Sequence, residues 1–425
     1  MSVRGFQATW VLPCVPGSLP IQNGAIVLDS EQRVLALGPA DDLRARFPAA
    51  DWSVEHAILL PGLVNAHTHL ELSALRGHTK SGGGFGPWVT SMMAARGRLQ
   101  PEQDVEAIDA AVSELLRFGT VAVGEVTNTL SSVDALSSAP MLGRIFHEIF
   151  GMRRETADVM RGMARQARAE RLSWPSHLSY APAPHTLYSL HPDSAQAIVA
   201  DARALCERTS LHLSEHAAER AFLLDGTGPF SEFLRVRGAD PADWQPPGVS
   251  PVAYAEQLGL LAPDVVAVHL CATTSDELRI VKRSGSPVVL CPRSNLFIEL
   301  KLPPLYDILE AGLSPGLGSD SLASNTTLDV LAEAATLRDR FPSVAPLRLI
   351  EMATFHGAEA LGLGHRVGSL RQGLSPGLLA VDLTPEQAAS VRDPAAHLLR
   401  FHSAPRRILA RPRLPTSQHS LGEAP

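Results

Sequence analysis

The sequence predicts an α/β fold class: a (β/α)8 TIM barrel carrying a small β-sandwich domain formed by the N- and C-terminal segments. Three observations carry this. Between about residues 61 and 360, short apolar runs alternate with longer amphipathic stretches, the pattern of βα units building a parallel sheet. Eight strand candidates can be read there in order. Polar residues, histidine above all, recur at the ends of those candidates, and a barrel places its chemistry at the C-terminal ends of its strands. An open doubly wound sheet is the structural alternative, but no Gly-x-Gly-x-x-Gly follows a first strand.

The chain opens with two short strand candidates, Gly24–Asp29 and Arg33–Gly38, joined by the polar turn Ser30, Glu31 and Gln32. The barrel strands are expected at Leu63–Leu70, Thr120–Thr127, Arg144–Gly151, His177–Thr186, Ser210–His216, Val265–Ala272, Pro287–Asn295 and Pro315–Ser321. Helical periodicity lies between them, as in Glu102–Phe118, Asp193–Arg208, Ser275–Ser284 and Pro304–Ala311. Strand texture returns over residues 367–383, in Gly368–Leu370 and Leu378–Asp382, which should pair with the first segment. The expected divisions are therefore 1–60, 61–361 and 362–425, the last closing in a Pro- and Arg-rich stretch whose tip should fray.

At 425 residues the chain exceeds a typical single domain, unless that domain is a large α/β barrel. Hydrophobic residues make up 45% and charged residues 19%, which supplies a substantial core and argues against disorder. A net charge of −7 with no basic stripe argues against nucleic-acid binding. No apolar run approaches the roughly 18 residues of a membrane span, and no charged-then-apolar signal opens the chain. A cytoplasmic protein acting on a small molecule is the expectation, with a homodimer open as its assembly. Cys14, Cys206, Cys271 and Cys291 sit in separate segments without Cys-x-x-Cys spacing and read as reduced core residues. Lysine is rare: Lys80, Lys282 and Lys301 are the only three among 37 basic residues.

The chemistry is expected at the strand ends. Residues 61–73 contain His67, Thr68 and His69 behind an apolar Leu63-Val64 lead-in. Side chains two apart on a strand share a face, so two imidazoles arrive side by side. The fifth strand candidate places His212 three residues before Glu215, the sixth presents His269, and the eighth presents Asp320. Singly, each has a structural reading: hydrogen-bonded core histidines, or a helix N-cap for Asp320. Together His67, His69, His212 and Asp320 form a competent donor set for one divalent metal, with zinc, iron or manganese all accommodated.

These motifs resemble the amidohydrolase superfamily, in the branch that holds metal-dependent deaminases and chlorohydrolases. The likeness runs through Pro61–His69, the His212 and Glu215 pair, His269, Cys291–Asn295, Gly318–Asp320 and Met352–Gly362. It implies that His67, His69, His212 and Asp320 bind the metal, zinc foremost, while Glu215, His269 and Asp320 serve the proton transfers around an attacking water. Binuclear members bridge two ions with a carboxylated lysine from the fourth strand. No lysine lies between Lys80 and Lys282, so one ion per chain is expected.

The same resemblance extends to the substrate. Tyr180–Ser189 is similar to the substrate-contact segment of nucleoside-type deaminases, which implies a hydrogen bond from His185; Ser321, beside Asp320, is a further contact candidate. Gly82–Trp88 should form a flexible loop over the mouth, with Phe85 or Trp88 available to stack on a base. Adenosine-type members carry a glutamate just before that tryptophan, where Pro87 stands here. The run His69–Gly77, with the Phe85–Trp88 loop, is similar to aminodeoxyfutalosine deaminases of menaquinone biosynthesis. A substrate of that kind bears a benzoate, for which Arg154, Arg153 and Arg76 are candidates. Glu71, Glu125 and Glu148 fall near strand ends without a ranking among them. A triazine chlorohydrolase or aminohydrolase, an adenosine or S-adenosylhomocysteine deaminase, and a catalytically dead scaffold are the alternatives.

Overall fold

The computed structural model describes residues 3–170, 174–239 and 244–415; the Ser420–Pro425 tip lies outside them. Fifteen strands appear among these residues. The first four are β1 (Arg4–Val11), β2 (Ile21–Leu28), β3 (Val34–Pro39) and β4 (Asp51–Pro61). Then come β5 (Leu63–His69), β6 (Thr120–Thr127), β7 (Leu142–Ile149), β8 (Leu178–Pro184) and β9 (Thr209–Leu213). These are followed by β10 (Val265–His269), β11 (Val288–Leu290), β12 (Gly316–Leu317), β13 (Asp320–Ser321), β14 (Leu378–Asp382) and β15 (Arg406–Ala410).

Helices separate most of the middle strands, and the hydrogen bonding there is parallel throughout, in sheets ordered β13-β5-β6-β7-β8 and β12-β11-β10-β9. The two sheets meet where the His212 N–H donates to the His185 carbonyl at 3.0 Å and Thr209 Oγ1 donates to Pro182 O at 2.7 Å. On the other side the chain crosses β5 at Gly318, where a Cβ would come within 2.6 Å of the His67 carbonyl oxygen. Only glycine permits that approach.

Both chain ends enter one sheet, ordered β15-β14-β4-β1-β2-β3. Their pairing matches expectation. β1 bonds to both β2 and β4, and β4 to β14, so one ladder runs through all six strands. The Pro- and Arg-rich end contributes β15, and Gly368–Leu370 stays outside any strand. No helix among the described residues is long and apolar enough to cross a membrane.

Two local differences matter for the site. The expected strand Pro287–Asn295 shortens to β11, because Pro292, without an N–H and with φ preset for a first turn, starts the helix Pro292–Glu299. The eighth strand breaks into β12 and β13 on either side of Gly318 and Ser319. Cys14, Cys271 and Cys291 are buried thiols as expected, whereas Cys206 is exposed in the turn after the helix Pro192–Ala204.

Candidate metal centre

Strand β5 is buried along its whole length and ends in His67 and His69. Their Nε2 atoms lie 3.9 and 3.6 Å from Asp320 Oδ1, and His69 Nε2 lies 3.3 Å from Nε2 of His212 at the end of β9. The ligand atoms of His67, His69 and His212 fall within 4.8 Å of one another. Both ring nitrogens of His67 are buried without a hydrogen-bond partner. Such a group ordinarily costs about 1–3 kcal/mol, and here it stands beside two imidazole nitrogens facing each other. A divalent cation among three imidazoles and one carboxylate resolves both features, and the donor set fits zinc.

The surroundings fix these side chains. His212 Nδ1 lies 3.3 Å from both Glu148 Oε1 and the His185 carbonyl, so its proton belongs there and the Nε2 lone pair faces His69. Asp320 Oδ2 accepts from Ser294 and Ser324, while Oδ1, which accepts from the Ser321 N–H at 2.8 Å, faces the histidines. Asp320 sits at φ 55°, His269 at φ 78° and Ser214 at φ 50°, strained values for residues with a Cβ. Around Asp320 the strain is held by Asn65, which bonds both Ser319 N and Ser319 Oγ, and by Thr68 Oγ1, which donates to the Asp320 carbonyl.

Glu215, His269 and Asp320 bring their polar atoms within 4.8 Å of one another, and Glu215 Oε2 lies 3.7 Å from His269 Nε2. Burial alone would push the Glu215 carboxyl up, but the charges of His216 and His269 outweigh it and hold the group well below the usual carboxylate range. Burial would likewise lower His216, yet Glu215 and Glu299 push it up to about 10. His185 lies against the cluster, its ring 5.2 Å from that of His212 and its Nδ1 2.6 Å from Ser189 Oγ. Burial, then His69, lowers it to about 4, so it is neutral.

The other substrate candidates are placed differently. Phe85 is buried against Phe230, His216 and Tyr188, at ring distances of 4.5, 5.1 and 5.9 Å. Trp88 donates Nε1–H to the Ala323 carbonyl at 3.0 Å. The glycine segment before them is pinned, with Gly82 N and Gly84 N donating to the Phe297 and Ile298 carbonyls. Ser321 shares a hydrogen bond with Ser324 within the Asp320 clamp. Arg154 pairs with Asp193 at 2.6 Å and Arg76 with Glu114 at 2.6 Å, both half-exposed.

The three unranked acids now separate by role. Glu71 accepts from Thr127, Asn128 and Thr129, and Glu125 accepts the Leu70 N–H, so both brace the turn after His69. Glu148 brings Oε1 within 3.3 Å of His212 Nδ1, while its Oε2 accepts from Asn128. Sequence reasoning had no signal for that. Nor did it single out Ser294, Asn295 or His216, although the first two lie in a motif it marked.

A buried cluster of imidazoles and carboxylates at the C-terminal ends of parallel strands defines the class of metal-assisted hydrolases built on α/β folds. The chain belongs to the amidohydrolase family, whose profile matches residues 58–404. It is similar to an aminodeoxyfutalosine deaminase of Deinococcus radiodurans, with 30% identity over 363 residues covering 82% of this chain and 84% of that one. A 5-methylthioadenosine/S-adenosylhomocysteine deaminase of Halobacterium salinarum is 28% identical over 396 residues, 89% of this chain and 84% of its own length. Among solved structures, an adenosine deaminase from Xanthomonas campestris with bound zinc superposes with a TM-score of 0.78 at 25% identity, covering 98% of this chain and 95% of that one.

Proposed function

We propose that this enzyme is a hydrolytic deaminase of an adenine-bearing nucleoside, with aminodeoxyfutalosine as its substrate and a place in menaquinone biosynthesis. The observation that carries the chemistry is the Glu215 carboxylate facing His269 at 3.7 Å beside the unpartnered His67 imidazole. The relative from Deinococcus radiodurans supports the substrate.

His67, His69, His212 and Asp320 would hold one divalent ion, zinc foremost. When bound, such an ion lowers the pKa of water from about 15.7 towards 7. His269 and Asp320 orient the attacking water. Glu215, held as a carboxylate, takes a proton from it and delivers that proton to the ring nitrogen next to the amino-bearing carbon. The carbon becomes electrophilic and water oxygen adds. A second proton, moved to the amino group through the same carboxylate, lets ammonia leave. His185, neutral and against His212, would hydrogen-bond the base.

A 5-methylthioadenosine or S-adenosylhomocysteine substrate is the second reading, favoured by the relative from Halobacterium salinarum. Pro87 puts no carboxylate before Trp88 to hold ribose hydroxyls, so the two readings differ in what meets the far end of the substrate. Ammonia release by the zinc-loaded enzyme decides. We expect kcat/KM for aminodeoxyfutalosine to exceed that for adenosine, 5-methylthioadenosine and S-adenosylhomocysteine. Equal values across the set would remove the distal carboxylate from the argument, and a preference for a chlorinated triazine would end the nucleoside reading.

A further inference from the structure

The short helix Pro292–Glu299 reaches three functional groups with three side chains. Ser294 donates to Asp320 Oδ2, Asn295 Nδ2 lies 3.4 Å from His269 Nδ1, and Glu299 Oε1 lies 2.8 Å from His216 Nδ1. Asn295 and Glu299 are four residues apart and so share a helix face. The first two contacts touch groups already placed in the site. The third ends on a histidine with no part so far.

His216 is 2% exposed and has a carboxylate at each ring nitrogen: Glu299 at Nδ1, and Glu215 Oε2 at 3.4 Å from Nε2. A neutral imidazole has one N–H and can donate to one of these; an imidazolium donates to both. The ring cannot turn away freely, because Phe85 and Phe230 pack on it with centroids at 5.1 and 5.7 Å. The backbone beneath is fixed separately. Glu219 accepts from the N–H groups of Ser214, Glu215 and His216 at 2.9, 2.7 and 3.0 Å. The main chain at Glu215 is therefore set by Glu219, which leaves the direction of its carboxylate to be set by His216.

We propose that His216, held from behind by Glu299, is a positioning residue that aims the Glu215 carboxylate for its proton transfers, a role resting on the function assigned to Glu215 above. The arrangement orients a charged acid–base group with a charge-assisted pair, which is shorter and stronger than a neutral hydrogen bond.

The test uses the zinc-loaded full chain and four variants. Glu299→Ala should lower kcat by at least about 10-fold, the scale of a misaimed reacting group, with KM and zinc content unchanged. Glu299→Gln keeps an acceptor oxygen without the charge and should recover part of that loss. His216→Phe, which removes both contacts, should lose at least as much as Glu299→Ala. Nitrogen NMR of histidine-labelled wild-type protein should show His216 protonated at both ring nitrogens at neutral pH, a signature that Glu299→Ala abolishes. Wild-type kcat in Glu299→Ala, or a singly protonated His216 in the wild type, overturns the proposal. Glu215→Gln is the control: if it turns over normally, the assignment of Glu215 fails, whereas an inactive Glu215→Gln beside a fully active Glu299→Ala sinks the positioning role alone.

Discussion

The residues at the centre differ in what holds them, and that separates binding from chemistry in a way substitution can read. His67 has no hydrogen bond at either nitrogen, so its burial makes sense through an ion it helps to hold. His67→Ala should therefore lose the metal, and activity with it, as elemental analysis of the purified variant would show. Glu215 contacts His216 and His269, and its carboxylate clusters with His269 and Asp320 rather than with the three imidazoles gathered at His67. Glu215→Gln should keep the metal while kcat falls about 100-fold or more, the usual cost of removing a positioned acid–base group. Loss of metal in that variant would make Glu215 a ligand, and normal turnover would remove it from the proton path.

At the scale of elements, the sequence is legible wherever periodicity and burial agree. Thr120–Thr127 and Ser275–Ser284 match their expected bounds, the second because Thr274 and Glu277 form a capping box and Gly285 closes the helix in the left-handed region. Legibility fails where one residue changes the rule, as Pro292 does in turning an apolar run into a helix. It fails again where pairing is decided at long range. Arg406 lies in a stretch that reads as tail, yet β15 is ordered there and the guanidinium meets Asp329 at 2.7 Å, with side chains 1% and 3% exposed. His67, His69, His212, Glu215, His269 and Asp320 were all visible, because each ends a strand or follows one closely. Ser294 and His216 were not, since their partners lie 26 and 83 residues away in the chain, and Glu148 was visible near a strand end without its neighbour His212, 64 residues on. The buried pair gives this scale its prediction. Arg406→Met strands the Asp329 charge and should destabilise the fold by about 3–5 kcal/mol, measured as a lower urea midpoint with the denaturant slope unchanged. A shift under about 1 kcal/mol would mean that water reaches Asp329.

The whole molecule gathers its parallel strands around one cluster, and the lysine distribution bears on how many ions that cluster takes. A bridging carboxylated lysine would have to come from β8, which reads Leu178 to Pro184 and contains none. Lys282 is instead committed to the Gly312 carbonyl at 2.7 Å. Among the described residues the other clusters all draw on the first: Glu148 and His185 would share His212, whose Nδ1 lies 3.3 Å from the His185 carbonyl, His269 and Cys291 would share His67, and Glu215 and His269 would share Asp320. One divalent ion per chain is the expected stoichiometry. Because an ion held by His67, His69, His212 and Asp320 would join β5, β9 and β13 and could not bind the unfolded chain in the same way, it should also stabilise the fold. Free zinc at 100 times its Kd corresponds to about 2.7 kcal/mol. Chelator should lower the unfolding midpoint reversibly in the wild type and leave His67→Ala unmoved. Two tightly bound ions per active chain by elemental analysis would refute the single-ion centre, and a chelator-insensitive midpoint would show that the strands hold together without it.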